Sequence, residues 1–277
     1  MDVHRSGAWR SLLTPGWIVG HLLAISVVVS FSQFGTWQLR RHEQSVLRNA
    51  TIEARLDIPA TDIAGVLRAA AAEPSALAPM APHPLEFRRV RVTGRFDAAA
   101  EVLRRPVSRD GSPGYHVVTP VVLDDGSAVL VERGWVPQSL DSVPVSAAPP
   151  PAGVVTIEGW AFPGETPPTG PLAALAPRDP PDGRLAQVAY VDLERLSAQL
   201  PYPLQPLRIL QDAGPRPPGD ATLPLPPRPP EVALGPHLGY AVQWFGFVLV
   251  TLIGYTALLR RRLAEAEEAL KGSSAPP

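Results

Sequence analysis

The residues best suited to chemistry lie at the start of the last apolar stretch of the chain. His237, Tyr240 and Trp244 recur at intervals of three and four residues, which places them on or beside one face of a helix. A neutral imidazole is a common ligand for haem iron, and aromatic rings can flank a flat macrocycle. The same residue types favour the headgroup zone of a membrane without any ligand, so simple interfacial anchoring is the alternative interpretation.

A second polar group ends the first apolar stretch. Trp37, Arg40 and Arg41 lie there, and two antiparallel spans would bring them to the depth of His237. Because haem propionates are anionic and guanidinium groups pair with carboxylates, this level suits a ligand that is apolar below and anionic above. His21 lies inside the first stretch and is interpreted either as a functional intramembrane residue or as a neutral histidine bonded to a neighbouring helix.

Two long apolar segments must position these residues. At about 1.5 Å per residue, each is long enough for a helix to cross a hydrocarbon core of roughly 30 Å. A cleaved signal is the alternative for the first segment, but its apolar run exceeds the ~7–15 residues of the apolar core of a typical signal. We therefore predict transmembrane helices at 17–39 and 237–259.

Arginines set the expected orientation. Three consecutive arginines, 260–262, follow the second span, whereas Arg228 is the nearest basic residue before it, which places the C-terminus in the cytoplasm. Arg40 and Arg41 follow the first span and argue against this, so we expect a ligand or partner to hold them outside. The prediction is a cytoplasmic tail at 1–16, an extracytoplasmic region at 40–236 and a cytoplasmic tail at 260–277.

The region between the spans is rich in strand signals. Alternating apolar residues and β-branched runs predict strands at 87–94, 101–107, 115–123, 128–136, 154–162, 185–191 and 207–211. Asp125-Gly126 predicts a hairpin turn, while Thr61 or Asp62, and Asp192, are expected to cap short helices. The predicted fold class is membrane α+β: two transmembrane helices flank a mostly antiparallel β extracytoplasmic domain with one or two short helices and Pro-rich loops.

Composition and missing motifs narrow the function class. The 277 residues carry a formal net charge of −1 and no cysteine, which gives no indication of a nucleic-acid partner and excludes disulfides and thiolate metal sites. No His-Glu-x-x-His, Gly-x-Ser-x-Gly or Gly-x-x-x-x-Gly-Lys motif occurs. His116 is interpreted as a core or surface histidine, and we expect no enzymatic activity. Arg, Ala and Pro enrichment indicates a GC-rich bacterial source.

Four motifs occur in order along the chain. They are Gly-Thr-Trp-Gln-Leu-Arg-Arg at 35–41, Glu-Phe-Arg-Arg-Val-x-Val-x-Gly-x-Phe at 86–96, Gly-Tyr-His-Val-Val-Thr-Pro at 114–120 with Val-Leu-Val-Glu-Arg-Gly-Trp-Val-Pro at 129–137, and His-Leu-Gly-Tyr-Ala-Val-Gln-Trp-Phe at 237–245. With them the chain resembles the surfeit locus protein 1 family of cytochrome c oxidase assembly factors across nearly its whole length.

The resemblance implies two spans, a β-rich loop on the outer side and a role in maturing a-type haem–copper oxidases. It implies that haem a is a transient cargo, that His237 corresponds to the proposed iron ligand and that Trp37 belongs to the same site. Family members often have Asn before this histidine, where this chain has Gly235-Pro236. The expected partners are the cytochrome c oxidase catalytic subunit, other respiratory-complex subunits and the lipid bilayer of a bacterial cell membrane.

Three functions remain open from the sequence. The first is a non-enzymatic factor that holds haem a or keeps the oxidase subunit open for it, with Tyr240 and Trp244 shaping the pocket and Arg40 and Arg41 steadying the propionates. The second is a stable accessory subunit of a respiratory oxidase or supercomplex with a structural docking role. The third is a two-span sensor or scaffold whose Pro-rich loop binds something unrelated.

Overall fold

The computed structural model describes residues 9–73, 81–212, 214, 220–230 and 232–273. The chain divides into two units, one formed by Met1–Leu47 with Ala233–Pro277 and the other by Arg48–Val232. The chain before the first strand is predicted to be helical with breaks at proline residues, and two of them, Pro74 and Pro79, lie outside the described residues, as does part of the proline-rich segment after Gly214.

Two long helices carry most of the first unit. Helix α1 spans Pro15–Leu56, and the terminal helix spans His237–Ser273. Both are long and apolar enough to cross a membrane, and their apolar side chains are largely exposed, as is usual for helices that face lipid. Helix α1 continues well past residue 39 because neither glycine nor proline interrupts the chain between Gly35 and Pro59.

The second unit is a β domain with a few short helices. Its strands are β1 (Arg88–Phe96), β2 (Val102–Arg109), β3 (Ser112–Leu123), β4 (Ala128–Pro137), β5 (Val155–Phe162), β6 (Gln187–Val188) and β7 (Leu204–Gln211). Its short helices are α2 (Ile63–Ala72) and α3 (Leu193–Ser197), which makes the terminal helix α4, and 3₁₀ turns cover Ser11–Leu13, Ala98–Ala100 and Pro171–Leu175.

Five of these strands close into a barrel. The sheet order is β1-β5-β7-β4-β3-β2-β6, and β1 also pairs with β3, which joins the two ends of the five-strand segment. At this junction a Cβ on Gly94 would lie 2.3 Å from the carbonyl oxygen of Val122, so glycine permits the close approach of the strands. The pairs β4–β7 and β2–β6 are parallel and the others antiparallel, which confirms the mostly antiparallel prediction.

The barrel interior is filled by alternate residues of its strands. Val90 and Val92 of β1 point inward while their neighbours are more exposed, as the period of two requires. Helix α2 adds Ile63 and Val66 to the same core. The remaining buried members are Leu85, Val121, Val129, Val131, Ile157, Ala161, Leu207 and Ile209.

Predicted caps and turns are present, with some differences in extent. Asp62 accepts a hydrogen bond from the Gly65 amide at 2.7 Å. Asp192 caps α3, which ends at Ser197, whereas the sequence pattern predicts a short helix through residue 200. In the hairpin turn only Gly126 has a positive φ, while the side chain of Asp125 accepts hydrogen bonds from Ser127.

The prediction of a strand at 185–191 was wrong in its length. Only Gln187–Val188 pairs as strand β6, parallel to Leu103 and Arg104 of β2. The apolar residues of this segment are buried because they pack into a satellite core with α3, and that burial resembles the pattern of a strand in the sequence.

Candidate functional site

His237 begins helix α4 directly after a sharp bend of the chain. Gly235 has a φ of +68°, which glycine adopts without the strain that a side chain would bring, and Pro236 has the φ that suits a helix start. The Tyr240 amide donates to the Pro236 carbonyl at 3.2 Å and closes the first turn. The imidazole is therefore held at the very end of the helix.

The imidazole of His237 forms a hydrogen bond to helix α1. Its Nδ1 lies 3.0 Å from Oε1 of Gln38, and the Gln38 side chain is buried within the apolar part of α1. An amide oxygen only accepts, so Nδ1 carries the proton and donates. The other ring nitrogen, Nε2, then keeps its lone pair, which is the form of histidine that binds a metal.

The edge of the ring that carries Nε2 borders on Gly235. A Cβ added to Gly235 would lie 3.2 Å from Nε2 and 3.3 Å from Cδ2 of His237. No hydrogen bond to Nε2 is found among the described residues. Glycine at position 235 thus leaves this edge open, and the residues present fit the single imidazole ligand that haem iron takes.

The predicted aromatic residues lie in two different surroundings. Trp37 is 54% exposed and Tyr240 is 48% exposed, so both are available at the surface of the helix pair. Trp244 packs among aromatic rings, with its centroid 4.9 Å from Phe34, 5.4 Å from Phe31 and 5.8 Å from Phe247. The structure therefore places Trp244 in an apolar cluster between the helices, deeper than His237.

The predicted arginines follow Gln38 on helix α1. Arg40 is exposed, and none of the described carboxylates forms an ion pair with it. Arg41 is half-buried, and its carbonyl accepts a hydrogen bond from Ser45 at 3.0 Å. The structure leaves the guanidinium of Arg40 open to an anionic partner at the end of the apolar stretch.

His21 is satisfied by bonds at the opposite end of the helix pair. Its Nδ1 contacts the hydroxyl of Tyr255, and its Nε2 lies 3.0 Å from the Leu12 carbonyl. If the tyrosine hydroxyl donates to Nδ1, the ring donates from Nε2, and both nitrogens are paired. His21 thus fits the interpretation of a neutral histidine bonded to a neighbouring helix.

Sequence reasoning missed Gln38 as the partner of His237 and Tyr255 as the partner of His21. The available signal was a polar side chain inside an apolar run, because such a side chain is stable in a membrane only when it finds a partner. Gln243 carries the same signal but is exposed, so the signal alone does not select the right residues.

Sequence similarity relates this chain to one family of proteins. A family model described as "SURF1 family" matches residues 25–249. An uncharacterized SURF1-like protein of Mycobacterium tuberculosis is 29% identical over 273 residues, covering 96% of this chain and 91% of the relative. A SURF1-like protein of Monosiga brevicollis is 30% identical over 251 residues, covering 86% of each chain. The cytochrome oxidase assembly protein SHY1 of Saccharomyces cerevisiae is 29% identical over 120 residues, or 43% of this chain and 28% of SHY1.

Proposed function

Because the chain belongs to the SURF1 family, we propose that it is a non-enzymatic membrane factor that assembles a cytochrome oxidase. The family match supports this role, since it includes parts of both apolar helices and the whole barrel. The name of the yeast relative supports it as well, because that protein is called a cytochrome oxidase assembly protein.

The cargo that we propose is haem a, carried on its way to the catalytic subunit of the oxidase. The observation that supports this most strongly is the state of His237: Gln38 holds Nδ1, and Gly235 leaves the edge of Nε2 open. Nε2 of His237 would hold the iron of the cargo, which would act as a Lewis acid for the neutral imidazole. The proposed role of this chain is to hold the His237 imidazole in one orientation and one tautomer.

The residues around His237 suit an amphipathic cargo. Trp37 and Tyr240 present exposed aromatic rings for the apolar faces of the macrocycle, and the cluster around Trp244 supports the helix pair below. Arg40 and Arg41 lie where the apolar stretch gives way to polar residues, and their proposed role is to pair with the propionates.

The proposed topology places this site at the outer surface of a bacterial cell membrane. Both termini are cytoplasmic, and residues 40–236 are extracytoplasmic, which agrees with the arginines at 260–262. The proposed partners are the oxidase catalytic subunit and neighbouring subunits of the respiratory complex, which receive the cargo from the outer side.

Deletion and complementation in the host bacterium test this function. Deletion should lower oxidase activity and the haem a content of the membranes, and the wild-type chain or the His21→Ala variant should restore both. The His237→Ala variant should not restore them. Unchanged oxidase and haem a after deletion would contradict the assembly role, whereas full rescue by His237→Ala would contradict haem carriage alone.

A further inference from the structure

A cavity in the β domain is separate from the helix pair and its histidine. It opens between strands β2, β3, β4 and β7 and the proline-rich segment at Pro227 and Arg228, and its volume is about 230 Å³. That is smaller than the roughly 300–1,000 Å³ of pockets for drug-sized ligands. The lining residues are Val107, Ser108, Arg109, His116, Trp135, Leu210, Pro227 and Arg228.

His116 lines this cavity, and one of its two ring nitrogens forms a hydrogen bond within the protein. Its Nδ1 lies 2.9 Å from Oε2 of Glu132, whose side chain is almost fully buried and also pairs with Arg208. A carboxylate only accepts, so Nδ1 donates, and Nε2 has no partner among the described residues. The interpretation of His116 as a plain core or surface histidine leaves Nε2 unexplained.

Trp135 contributes a buried donor without an acceptor. The residue is 8% exposed, and its Nε1 has no hydrogen-bond partner within the described structure. The indole lies against Gly114 of the neighbouring strand, where a Cβ would come within 2.5 Å of Nε1. A buried N–H without an acceptor is destabilising, so the indole would gain from an acceptor admitted to the cavity beside it.

Positive charge is in excess around the cavity. Arg109 donates to the Pro226 carbonyl at 2.6 Å but pairs with none of the described carboxylates. Arg104 and Arg208 share Glu165, at 2.7 and 2.9 Å. The pKa of His116 is lowered to about 4, by burial first and then by the charges of Arg104, Arg208 and Arg109. Within the described part of the chain, the cavity thus has one guanidinium without a carboxylate partner beside one buried N–H without an acceptor, and this combination favours an anionic ligand.

The rim of the cavity is held by the segment 225–228. Leu225 pairs with Trp135 through two backbone hydrogen bonds of 2.7 and 2.8 Å, and Arg228 pairs with Asp110. Gly134 permits this approach, since a Cβ there would lie 2.2 Å from the Leu225 carbonyl oxygen. The cavity walls are thus fixed by the fold before any ligand arrives.

We propose that this cavity binds a small oxyanion, a phosphate or carboxylate group, at the Arg109 guanidinium beside the indole of Trp135. The site does not depend on haem carriage, because it is built only from residues of the β domain. Two of its residues, His116 and Trp135, come from the two parts of the third sequence motif, 114–120 and 129–137, which the His237 site does not use.

The indole signals of the full-length chain in detergent provide the test. The chain has 6 tryptophans, so ¹⁵N-tryptophan labelling gives a small set of indole peaks, and Trp135→Phe assigns one of them. Inorganic phosphate and acetate are titrated separately at constant ionic strength. The Trp135 peak should move and saturate with at least one probe. The Trp160 peak should stay, since its Nε1 is equally buried without a partner but does not line the cavity.

Matched variants test the role of Arg109. Arg109→Gln should weaken binding by a factor of about ten or more, because a charge-assisted hydrogen bond is lost. Arg91→Gln, which removes an exposed arginine of β1, should leave the affinity unchanged. If Arg109→Gln disturbs all indole peaks, Arg109→Lys retains the charge, and weaker but measurable binding is expected.

The outcomes separate the sources of the anion. Saturation by phosphate alone identifies a phosphate ligand, saturation by acetate alone identifies a carboxylate ligand, and saturation by both supports a general oxyanion site. A Trp135 peak that neither probe moves would overturn the proposal, and so would equal shifts in the wild type and Arg109→Gln.

Discussion

At the scale of single residues, one hydrogen bond decides which nitrogen His237 presents. The bond from Nδ1 to Gln38 leaves Nε2 as the nitrogen with a lone pair, and Gly235 keeps the edge beside it open. The arrangement resembles metal sites in which a second residue fixes the tautomer of a ligating histidine. Gln38 is thus a positioning residue: it orients His237, and its contribution is measured as the affinity for the proposed cargo, haem a.

Gln38→Leu should weaken haem a binding by about 10- to 100-fold, the usual cost of losing such a partner. Gln38→Glu should bind more tightly than Gln38→Leu, because a carboxylate still accepts from Nδ1. The measurement is a haem a titration of the purified chain followed by absorbance. Equal affinities for the wild type and Gln38→Leu would show that the hydrogen bond has no positioning role.

His116 makes the stability of the β domain depend on pH. The pKa of His116 is lowered from 6.5 to about 4 in the folded chain. Between these two pH values the unfolded state binds a proton that the folded state does not bind. The neutral form of His116 is fully favoured above pH 6.5, and the folded state loses stability as pH falls from there towards 4. The total loss is about 3 kcal/mol at most.

Unfolding of the wild type and His116→Gln between pH 7 and pH 4 measures this effect. The wild type should lose more stability than the variant over this range, because glutamine does not titrate. Parallel pH profiles for the two proteins would contradict the assignment of this dependence to His116.

At the scale of elements, the helix pair depends on a close contact at Gly35. A Cβ there would lie 2.8 Å from the ring of Phe245. Gly35→Leu should therefore destabilise the pair by about 1–3 kcal/mol, as overpacking does. Thermal unfolding in detergent measures the loss. Gly20→Leu is the control, since a Cβ at Gly20 has nothing within 4 Å.

A double variant checks the cause of the Gly35 effect. Phe245→Ala should restore part of the stability lost in Gly35→Leu, because it removes the ring that the new side chain meets. If Gly35→Leu and Gly20→Leu unfold at the same temperature, the contact does not determine the stability of the pair.

The stability of the β domain depends on the buried carboxylate of Glu101. Glu101 accepts hydrogen bonds from Thr119 at 2.8 Å, from Arg133 at 3.1 Å and from the Val145 amide at 2.8 Å. Glu101→Ala should cost about 3–5 kcal/mol, since it leaves the buried Arg133 unpaired. Arg91→Ala breaks an exposed pair and should cost less than about 1 kcal/mol. Chemical denaturation of both variants tests the contrast.

The secondary-structure elements were more predictable from the sequence than the pairing between them. The strand predicted at 128–136 is observed at Ala128–Pro137, because alternation and the Asp-Gly turn are local signals. Closure of the barrel through β1 and β3, and the parallel pair β4–β7, were not predictable, because periodicity shows which face is buried but not which strand lies beside it. Likewise, His237 was identified from its surroundings, but its bond to Gln38 joins positions 199 residues apart.

At the scale of the whole molecule, the chain combines two units with different chemistry. The helical unit has exposed apolar surfaces and a histidine with an open nitrogen, which suits a membrane-soluble cargo. The β unit has a closed barrel and a cationic cavity, which suits a water-soluble anion. Under the proposed function, a SURF1 family member with these units would carry haem a without performing a reaction on it.

The absorption spectrum of the purified chain shows whether His237 holds haem a. The full-length protein, produced in cells that make haem a and purified in detergent, should show a Soret band. His237→Ala should lose this band, whereas His21→Ala, which removes the histidine at the opposite end of the helix pair, should retain it. A wild-type protein without a Soret band, or an equal band in His237→Ala, would contradict the proposal that His237 holds haem a.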